Sequence, residues 1–111
     1  MHIPDRETCN WIRNQFENIQ FMKFSKEEKI HTFDRLLWAD MFGNFLGDKF
    51  NTMKRFGLEG CESFIPGLKI TIDELVEEGC EKVIIGMPHR GRLNVLANVL
   101  RKPLEQIFSE F

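Results

Sequence analysis

The sequence lacks the features that mark membrane, secreted and nucleic-acid-binding proteins. No apolar run approaches the roughly 20 residues that cross a bilayer. The opening residues, "MHIPDRETCNW", have no apolar core for a signal peptide, and they carry Asp5 and Glu7, which a transit peptide avoids. The formal net charge of -2 argues against a nucleic-acid arm or a membrane-surface helix. We therefore expect a cytosolic chain, or one whose targeting segment is absent from this sequence.

The sequence is also poor in cysteine. Cys9, Cys61 and Cys80 are widely spaced, no C-x-x-C pair exists, and no histidine has zinc-ligand spacing. We therefore predict reduced thiols and no metal site within this chain. A length of 111 residues, with 42% hydrophobic and 29% charged residues, suits one small globular domain or part of a larger one.

The first half of the chain has helical patterns. Asp5 is a candidate N-cap for a helix over residues 5–20, because apolar residues recur there at helical spacing. Ser25 and Glu28 have the spacing of a capping box, which predicts the start of a helical stretch over residues 26–50. Two glycines inside that stretch leave one helix and two helices equally open. The apolar residues of the first helix are Cys9, Ile12, Phe16 and Ile19.

The second half begins with a linker-like segment, residues 51–60, and then returns to helical periodicity. A helix is predicted over residues 60–78, with Pro66 expected to kink or shorten it and Gly79 expected to end it. Residues 91–101 are apolar on almost every side of a helix, which is typical of a helix buried in a larger body.

Residues 82–87 read as a β-strand. Val83, Ile84 and Ile85 are consecutive and apolar, which suggests burial on both faces, as in a parallel sheet. A lone strand would leave its backbone N–H and C=O groups unpaired, and this is costly when they are buried. The predicted fold class is therefore α/β: a helical N-terminal segment followed by the start of a parallel-sheet domain that is truncated within this sequence.

The junction between this strand and the next helix has the composition of an anion site. Gly86 and Gly91 let a backbone approach a ligand, and helix N–H groups favour negative charge. Arg90 and Arg92 add forked cationic donors. The spacing G-x-x-x-x-G matches a nucleotide P-loop, but Leu93 stands where a magnesium-binding hydroxyl is required, so the P-loop reading fails.

His89 lies in the same loop, between a proline and an arginine. Its imidazole can donate a hydrogen bond to an anion in either protonation state. The residues alone leave two readings open: a phosphate or carboxylate site, or a structural histidine with arginines that form surface ion pairs of under about 1 kcal/mol each.

Two stretches carry a resemblance to a known family. "KRFGLEGCE" (residues 54–62) and "GMPHRGRLNVLANVL" (residues 86–100) resemble the thiamine-diphosphate-dependent first component of the 2-oxoglutarate dehydrogenase complex. "CNWIR" and "KPLEQIF" extend the similarity over nearly the whole chain, which resembles an N-terminal fragment. The related 2-oxoadipate dehydrogenases of lysine degradation share the second stretch but tend to differ after the K-R pair.

The resemblance implies oxidative decarboxylation of 2-oxoglutarate in the tricarboxylic acid cycle, with transfer of the succinyl unit to a lipoyl carrier on the dihydrolipoyl succinyltransferase component. It implies that His89 lies beside the thiamine centre, as a catalytic residue that also binds the substrate's distal carboxylate. Phe56 would line the substrate pocket and Arg90 would contact the cofactor diphosphate. It assigns no role to Arg92. The implied setting is a homodimer in the mitochondrial matrix, or the cytoplasm of a bacterium.

The family's magnesium and diphosphate motif, G-D-G followed later by Asn, does not occur in this sequence. The Mg²⁺ ligands are therefore expected outside it, and the fragment itself is expected to be inactive. Residues 1–52 are predicted to form a helical N-terminal segment, and residues 53–111 the incomplete start of the thiamine-diphosphate-binding α/β domain. Three alternatives remain: a 2-oxoadipate dehydrogenase of lysine degradation, a free-standing phosphate-binding module without nucleic-acid or membrane partners, and a helical segment, residues 1–50, that docks on another protein.

Overall fold

The computed structural model describes residues 3–18 and 23–111, and within these residues the regular structure is entirely helical. Residues 3–18 and 23–111 contain five α-helical segments. The fourth continues directly into a π-helical turn at Val95–Val99. The segments are α1 (Arg6–Glu17), α2 (Lys26–Lys49), α3 (Phe64–Glu77), α4 (Arg92–Asn94) and α5 (Leu104–Phe108).

Helix α1 starts where the sequence predicts. The Thr8 backbone N–H donates to Asp5 Oδ2 over 2.6 Å, so the predicted N-cap is confirmed. Hydrogen bonds from the side chain of Thr8 and, second, from its backbone N–H stabilise the carboxylate and lower the pKa of Asp5. The helix ends at Glu17, and Ile19, a predicted member of its apolar face, lies outside the described residues. No residue of α1 is buried, and Phe16 is 81% exposed.

Helix α2 is one continuous helix of 24 residues, which decides between the two predicted possibilities. The capping box is confirmed. The Ser25 backbone N–H donates to Glu28 Oε2 over 2.6 Å, and the Glu28 backbone N–H donates to Ser25 Oγ over 3.1 Å. The bond from the Ser25 backbone N–H lowers the pKa of the Glu28 carboxyl.

Helix α3 is shorter than the predicted stretch, as expected from its proline. It begins at Phe64, so Pro66 is the third residue of the helix, where a backbone N–H has no partner within the helix. Gly79 ends it with φ of 90°. The Gly79 N–H donates to Val76 O over 3.0 Å and the Cys80 N–H donates to Leu75 O over 2.9 Å, which is the Schellman pattern.

The strand predicted over residues 82–87 is wrong for this chain. Residues 80–88 have no regular secondary structure, and the described part of the chain contains no strand that could pair with them. Instead of being buried, Ile84 is 88% exposed and Val83 is 41% exposed. A strand needs neighbours that accept and donate its backbone hydrogen bonds, and local apolar sequence cannot supply them.

The core consists of two apolar clusters that share helix α2. Each cluster combines residues from both sides of the predicted boundary at residues 52 and 53. The clusters therefore do not test the predicted division into residues 1–52 and 53–111, which stays a prediction about a longer protein. The first cluster contains Ala39, Leu58, Ile65, Val95 and Val99. The second contains Phe42, Leu46, Leu93, Ala97 and Ile107.

The π-helical turn confirms that the chain is helical and largely buried after Gly91. The Leu100 N–H donates to Val95 O over 3.0 Å, five residues back along the chain. The chain leaves the helix at Arg101, which has a φ of 56°. The Lys102 N–H then donates to Leu96 O over 2.9 Å. Among the described helices, none is long and apolar enough to cross a membrane.

Replacing Gly91 by alanine is expected to destabilise the fold by about 2–4 kcal/mol. Gly91 has a φ of 72°, and a Cβ atom there would lie 2.5 Å from Leu58 Cδ1. Urea denaturation followed by circular dichroism measures the change. Gly67→Ala is the control, because Gly67 is helical with nothing within 4 Å of an added Cβ. That substitution is expected to be neutral or to stabilise by up to about 1 kcal/mol. Similar losses in both variants would contradict the steric assignment.

Candidate functional site

The predicted site residues lie where two loops meet. One loop precedes α3 and contains Phe56, and the other precedes α4 and contains His89. The Gly91 N–H joins the loops, because it donates to Phe56 O over 2.7 Å and to Gly57 O over 3.3 Å. The left-handed conformation of Gly91 brings its backbone against Leu58. Residues far apart in sequence are thereby held in one small surface region.

His89 and Phe56 are in direct contact. Their ring centroids are 5.3 Å apart and the ring planes make an angle of 26°. His89 is exposed, whereas Phe56 is half-buried. The imidazole is therefore oriented by a fixed aromatic neighbour while it stays open to solvent and to a ligand. The resemblance implied that both residues serve one substrate pocket, and the structure brings them together.

Arg92 contacts the same aromatic ring. Its guanidinium carbon lies 4.7 Å from the centroid of Phe56, a distance typical of a cation–π interaction. The side chain is half-buried. Sequence reasoning left Arg92 without a role, because its partner lies in another loop. An arginine and an aromatic residue in two separate stretches of the sequence do not by themselves predict a contact.

The backbone of Phe56 is unusual. Its φ is 50°, in the left-handed region that aromatic residues rarely occupy. Such a conformation costs about 1–3 kcal/mol and persists only where surrounding contacts hold it. Here the carbonyl of Phe56 accepts from Gly91, and its ring contacts His89 and Arg92. The strained residue, Phe56, is therefore the one that contacts both His89 and Arg92.

Arg90 points to the first loop. Its Nη2 donates to Glu59 O over 2.7 Å, and the side chain is exposed. Nearby, the Gly60 N–H donates to Glu62 Oε1 over 2.9 Å. Backbone N–H groups of Glu62 and Gly60 lower the pKa of the Glu62 carboxyl, and the positive charge of Arg90 lowers it further. Among the described residues, the ring contacts at Phe56 involve His89 and Arg92, and the Arg90 side chain takes no part in them.

The expectation that the loop's backbone amides bind an anion needs correction. The Gly91 N–H donates to the Phe56 and Gly57 carbonyls, and the Arg92 N–H donates to His89 O over 3.3 Å. These two amides already have acceptors within the chain. An anion held here would therefore depend on the side chains of His89, Arg90 and Arg92 rather than on those amides.

Two asparagines anchor the helix that carries Arg92. Asn94 is 5% exposed, and its Nδ2 donates to Ala39 O in α2 over 2.8 Å. Asn98 Nδ2 donates to Asn94 Oδ1 over 2.7 Å, so the buried amide has partners for both its oxygen and its nitrogen. The sequence motif contains Asn94, but only the packing against α2 reveals what its amide does.

An open cavity of about 330 Å³ adjoins Phe56 and Arg92. Lys54 and Arg92 contribute positive charge to its wall, and Glu110 contributes negative charge. The Lys102 Nζ lies 2.5 Å from Glu110 Oε1, and this contact lowers the pKa of Glu110, with a smaller contribution from the charge of Arg92. Across the described residues, no group of three or more His, Cys, Asp or Glu side chains could hold a metal ion.

Comparison with known proteins gives similarity along the whole chain. It is 59% identical over 111 residues to "2-oxoglutarate dehydrogenase, mitochondrial" of Dictyostelium discoideum, and 51% identical over 110 residues to the protein of the same name from Saccharomyces cerevisiae. It is 59% identical over 111 residues to "2-oxoglutarate dehydrogenase-like, mitochondrial" of Rattus norvegicus.

The match covers 100% of this chain in the Dictyostelium and rat comparisons and 99% in the yeast comparison, but only 11% of each relative. The chain therefore spans about one tenth of the length of these relatives, to which it is homologous throughout. The resemblance inferred from its motifs is confirmed. No family model matches the sequence.

Asn94→Asp is expected to destabilise the protein by about 3 kcal/mol, because a carboxylate cannot donate to Ala39 O and would bring a buried negative charge against that carbonyl. Thermal and urea denaturation measure the loss. Asn44→Asp is the matched control: Asn44 Nδ2 donates to Asp40 Oδ2 over 3.0 Å at an exposed position of α2. Asn44→Asp should lower the free energy of unfolding by about 0.5 kcal/mol. Comparable losses at the two positions would show that the Asn94 contact contributes little.

Proposed function

We propose that this chain, homologous throughout to 2-oxoglutarate dehydrogenases, is a segment of the thiamine-diphosphate-dependent component that oxidatively decarboxylates 2-oxoglutarate. The observation that carries the proposal is 59% identity over all 111 residues to a protein of that name. The succinyl group then passes to a lipoyl group of the dihydrolipoyl succinyltransferase component. The mitochondrial names of the relatives support a place in the mitochondrial matrix and in the tricarboxylic acid cycle.

In this proposal His89 binds the distal carboxylate of the substrate. Its exposed imidazole can donate to a carboxylate oxygen, and a bond to an ionised group is stronger than a neutral one. The stack on Phe56 restricts the orientation of the imidazole. Phe56 lines the pocket with an apolar surface that suits the methylene groups between the two ends of the substrate. His89 thus fixes one end of the substrate and Phe56 its middle.

Arg90 is proposed to bind the cofactor's diphosphate. Its guanidinium has five N–H donors in a planar fork, and Glu59 O accepts from one of its nitrogens. The exposed side chain therefore fits a doubly charged phosphate group. When bound, thiamine diphosphate supplies the carbanion chemistry of the reaction. The ligands of its Mg²⁺ would lie outside this chain.

The exposed apolar residues Val83 and Ile84 support a sheet in the longer protein. Val83 and Ile84 expose surface that a strand would bury on both faces once flanked by parallel neighbours. Residues 53–111 would then form the start of a thiamine-diphosphate-binding α/β domain, preceded by the helical segment of residues 1–52. By the same resemblance, the longer protein is proposed to act as a homodimer.

In the full-length enzyme, His89→Ala is expected to reduce kcat/KM for 2-oxoglutarate. The reduction should correspond to a loss of about 1.5–3 kcal/mol in transition-state stabilisation. The loss should be smaller for a 2-oxo acid that has no distal carboxylate, because that substrate lacks the anion to which His89 donates. Steady-state kinetics with both substrates measure the difference. Equal losses on the two substrates would remove the recognition role.

Arg90→Ala is expected to weaken thiamine diphosphate binding to the full-length enzyme by about 1.5–3 kcal/mol, through loss of charge-assisted hydrogen bonds to phosphate. Isothermal titration calorimetry measures the change. Arg13→Ala, which removes an exposed arginine of α1, serves as the control and should leave cofactor affinity unchanged. Unchanged affinity in Arg90→Ala would exclude the diphosphate contact.

A further inference from the structure

Arg92 is the cation of the site loop that has no function in the proposal above. Its backbone is fixed at the start of α4, where its N–H donates to His89 O over 3.3 Å. Its guanidinium carbon lies 4.7 Å from the Phe56 ring centroid. The side chain is half-buried, so solvent competes less for its charge than at a fully exposed position.

A carboxylate near Arg92 does not account for this placement. Glu110 lies on the same cavity, but its Oε1 is 2.5 Å from Lys102 Nζ and so has a cationic partner already. No salt bridge joins Arg92 to a carboxylate within the described residues. The short-range partner of the guanidinium is the aromatic ring.

The backbone of Phe56 does not favour the conformation that it adopts. With a φ of 50°, it relies on surrounding contacts to stay in place. Gly91 holds the carbonyl of Phe56 over 2.7 Å, but that bond leaves the side-chain torsions free. The ring packs against the second apolar cluster, and its remaining contacts are with His89, which is exposed, and with Arg92, which is half-buried.

We propose that Arg92 is a positioning residue that acts through Phe56: its guanidinium holds the ring in the orientation that supports the His89 imidazole. Arg92 itself does not touch the substrate. The inference rests on the proposed function in so far as His89 and Phe56 form the pocket for the distal carboxylate. The contact between Arg92 and Phe56 can be tested without that assumption.

The kinetic test is a double-mutant cycle in the full-length enzyme, with Arg92→Met and Phe56→Leu. Arg92→Met should raise KM for 2-oxoglutarate about two- to tenfold while kcat and the Kd of thiamine diphosphate stay unchanged. Because Arg92 acts through the ring, Arg92→Met should have no further effect, within about twofold, in the Phe56→Leu background. Arg92→Lys keeps a cation at the ring and should recover at least half of the loss.

Arg101→Met is the control, since Arg101 is an exposed arginine just beyond the π-helical turn. It should leave KM unchanged. The proposal is overturned if the Arg92→Met effect persists undiminished in the Phe56→Leu background. It is also overturned if Arg92→Met weakens cofactor binding, which would place Arg92 on the diphosphate instead.

A spectroscopic test separates this inference from the proposed function. With 4-fluorophenylalanine at position 56 of the full-length enzyme, Arg92→Met should shift the fluorine resonance, whereas Arg101→Met should not. Arg92→Lys should move the resonance back towards its original position and so guard against a variant that has merely unfolded. A resonance that does not respond to Arg92→Met overturns the inference, whatever His89→Ala shows in kinetics. A normal response, together with equal losses in His89→Ala, would reject the proposed substrate contact alone.

Discussion

The hydrogen bond from the Gly91 N–H to Phe56 O is the contact on which the arrangement of the site depends. It joins the loop before α3 to the loop before α4, and it does so at a glycine whose left-handed backbone packs directly on Leu58. A side chain at position 91 would separate the loops and break the bond. The same bond holds Phe56 at an unfavourable φ and so brings its side chain within reach of His89 and Arg92, whose contacts then orient the ring.

Helix α2 provides the fixed surface against which this junction is built. Ala39 belongs to the first apolar cluster, and its carbonyl also accepts from the buried amide of Asn94. The helix that carries Arg92 is therefore held by one specific polar contact as well as by apolar packing. Packing alone tolerates small sliding movements, whereas a buried amide with a single acceptor penalises any register in which it stays unpaired. The position of Arg92 above the Phe56 ring thus depends on residues far from the ring.

Local chemistry explains which features the sequence predicts. Asp5, the pair Ser25 and Glu28, and Gly79 act on backbone groups within a few residues, so their helix boundaries can be read from spacing alone. Features that need partners far away in the sequence cannot be predicted from spacing alone. The run at residues 82–87 has the composition of a strand, but strand pairing requires neighbours that the described residues do not contain. Likewise, Arg92 and Phe56 meet only because Gly91 joins their loops, and no spacing rule predicts that contact.

The same distinction between local and distant partners explains why some apolar side chains remain exposed. Helix α1 forms from its own N-cap and periodicity yet buries none of its residues, and Trp11 remains 63% exposed. Ile84 remains 88% exposed in a segment with strand composition. The chain spans about one tenth of the length of the relatives to which it is similar. The site loops are held by contacts with α2, whereas α1 buries none of its residues and Val83 and Ile84 remain exposed.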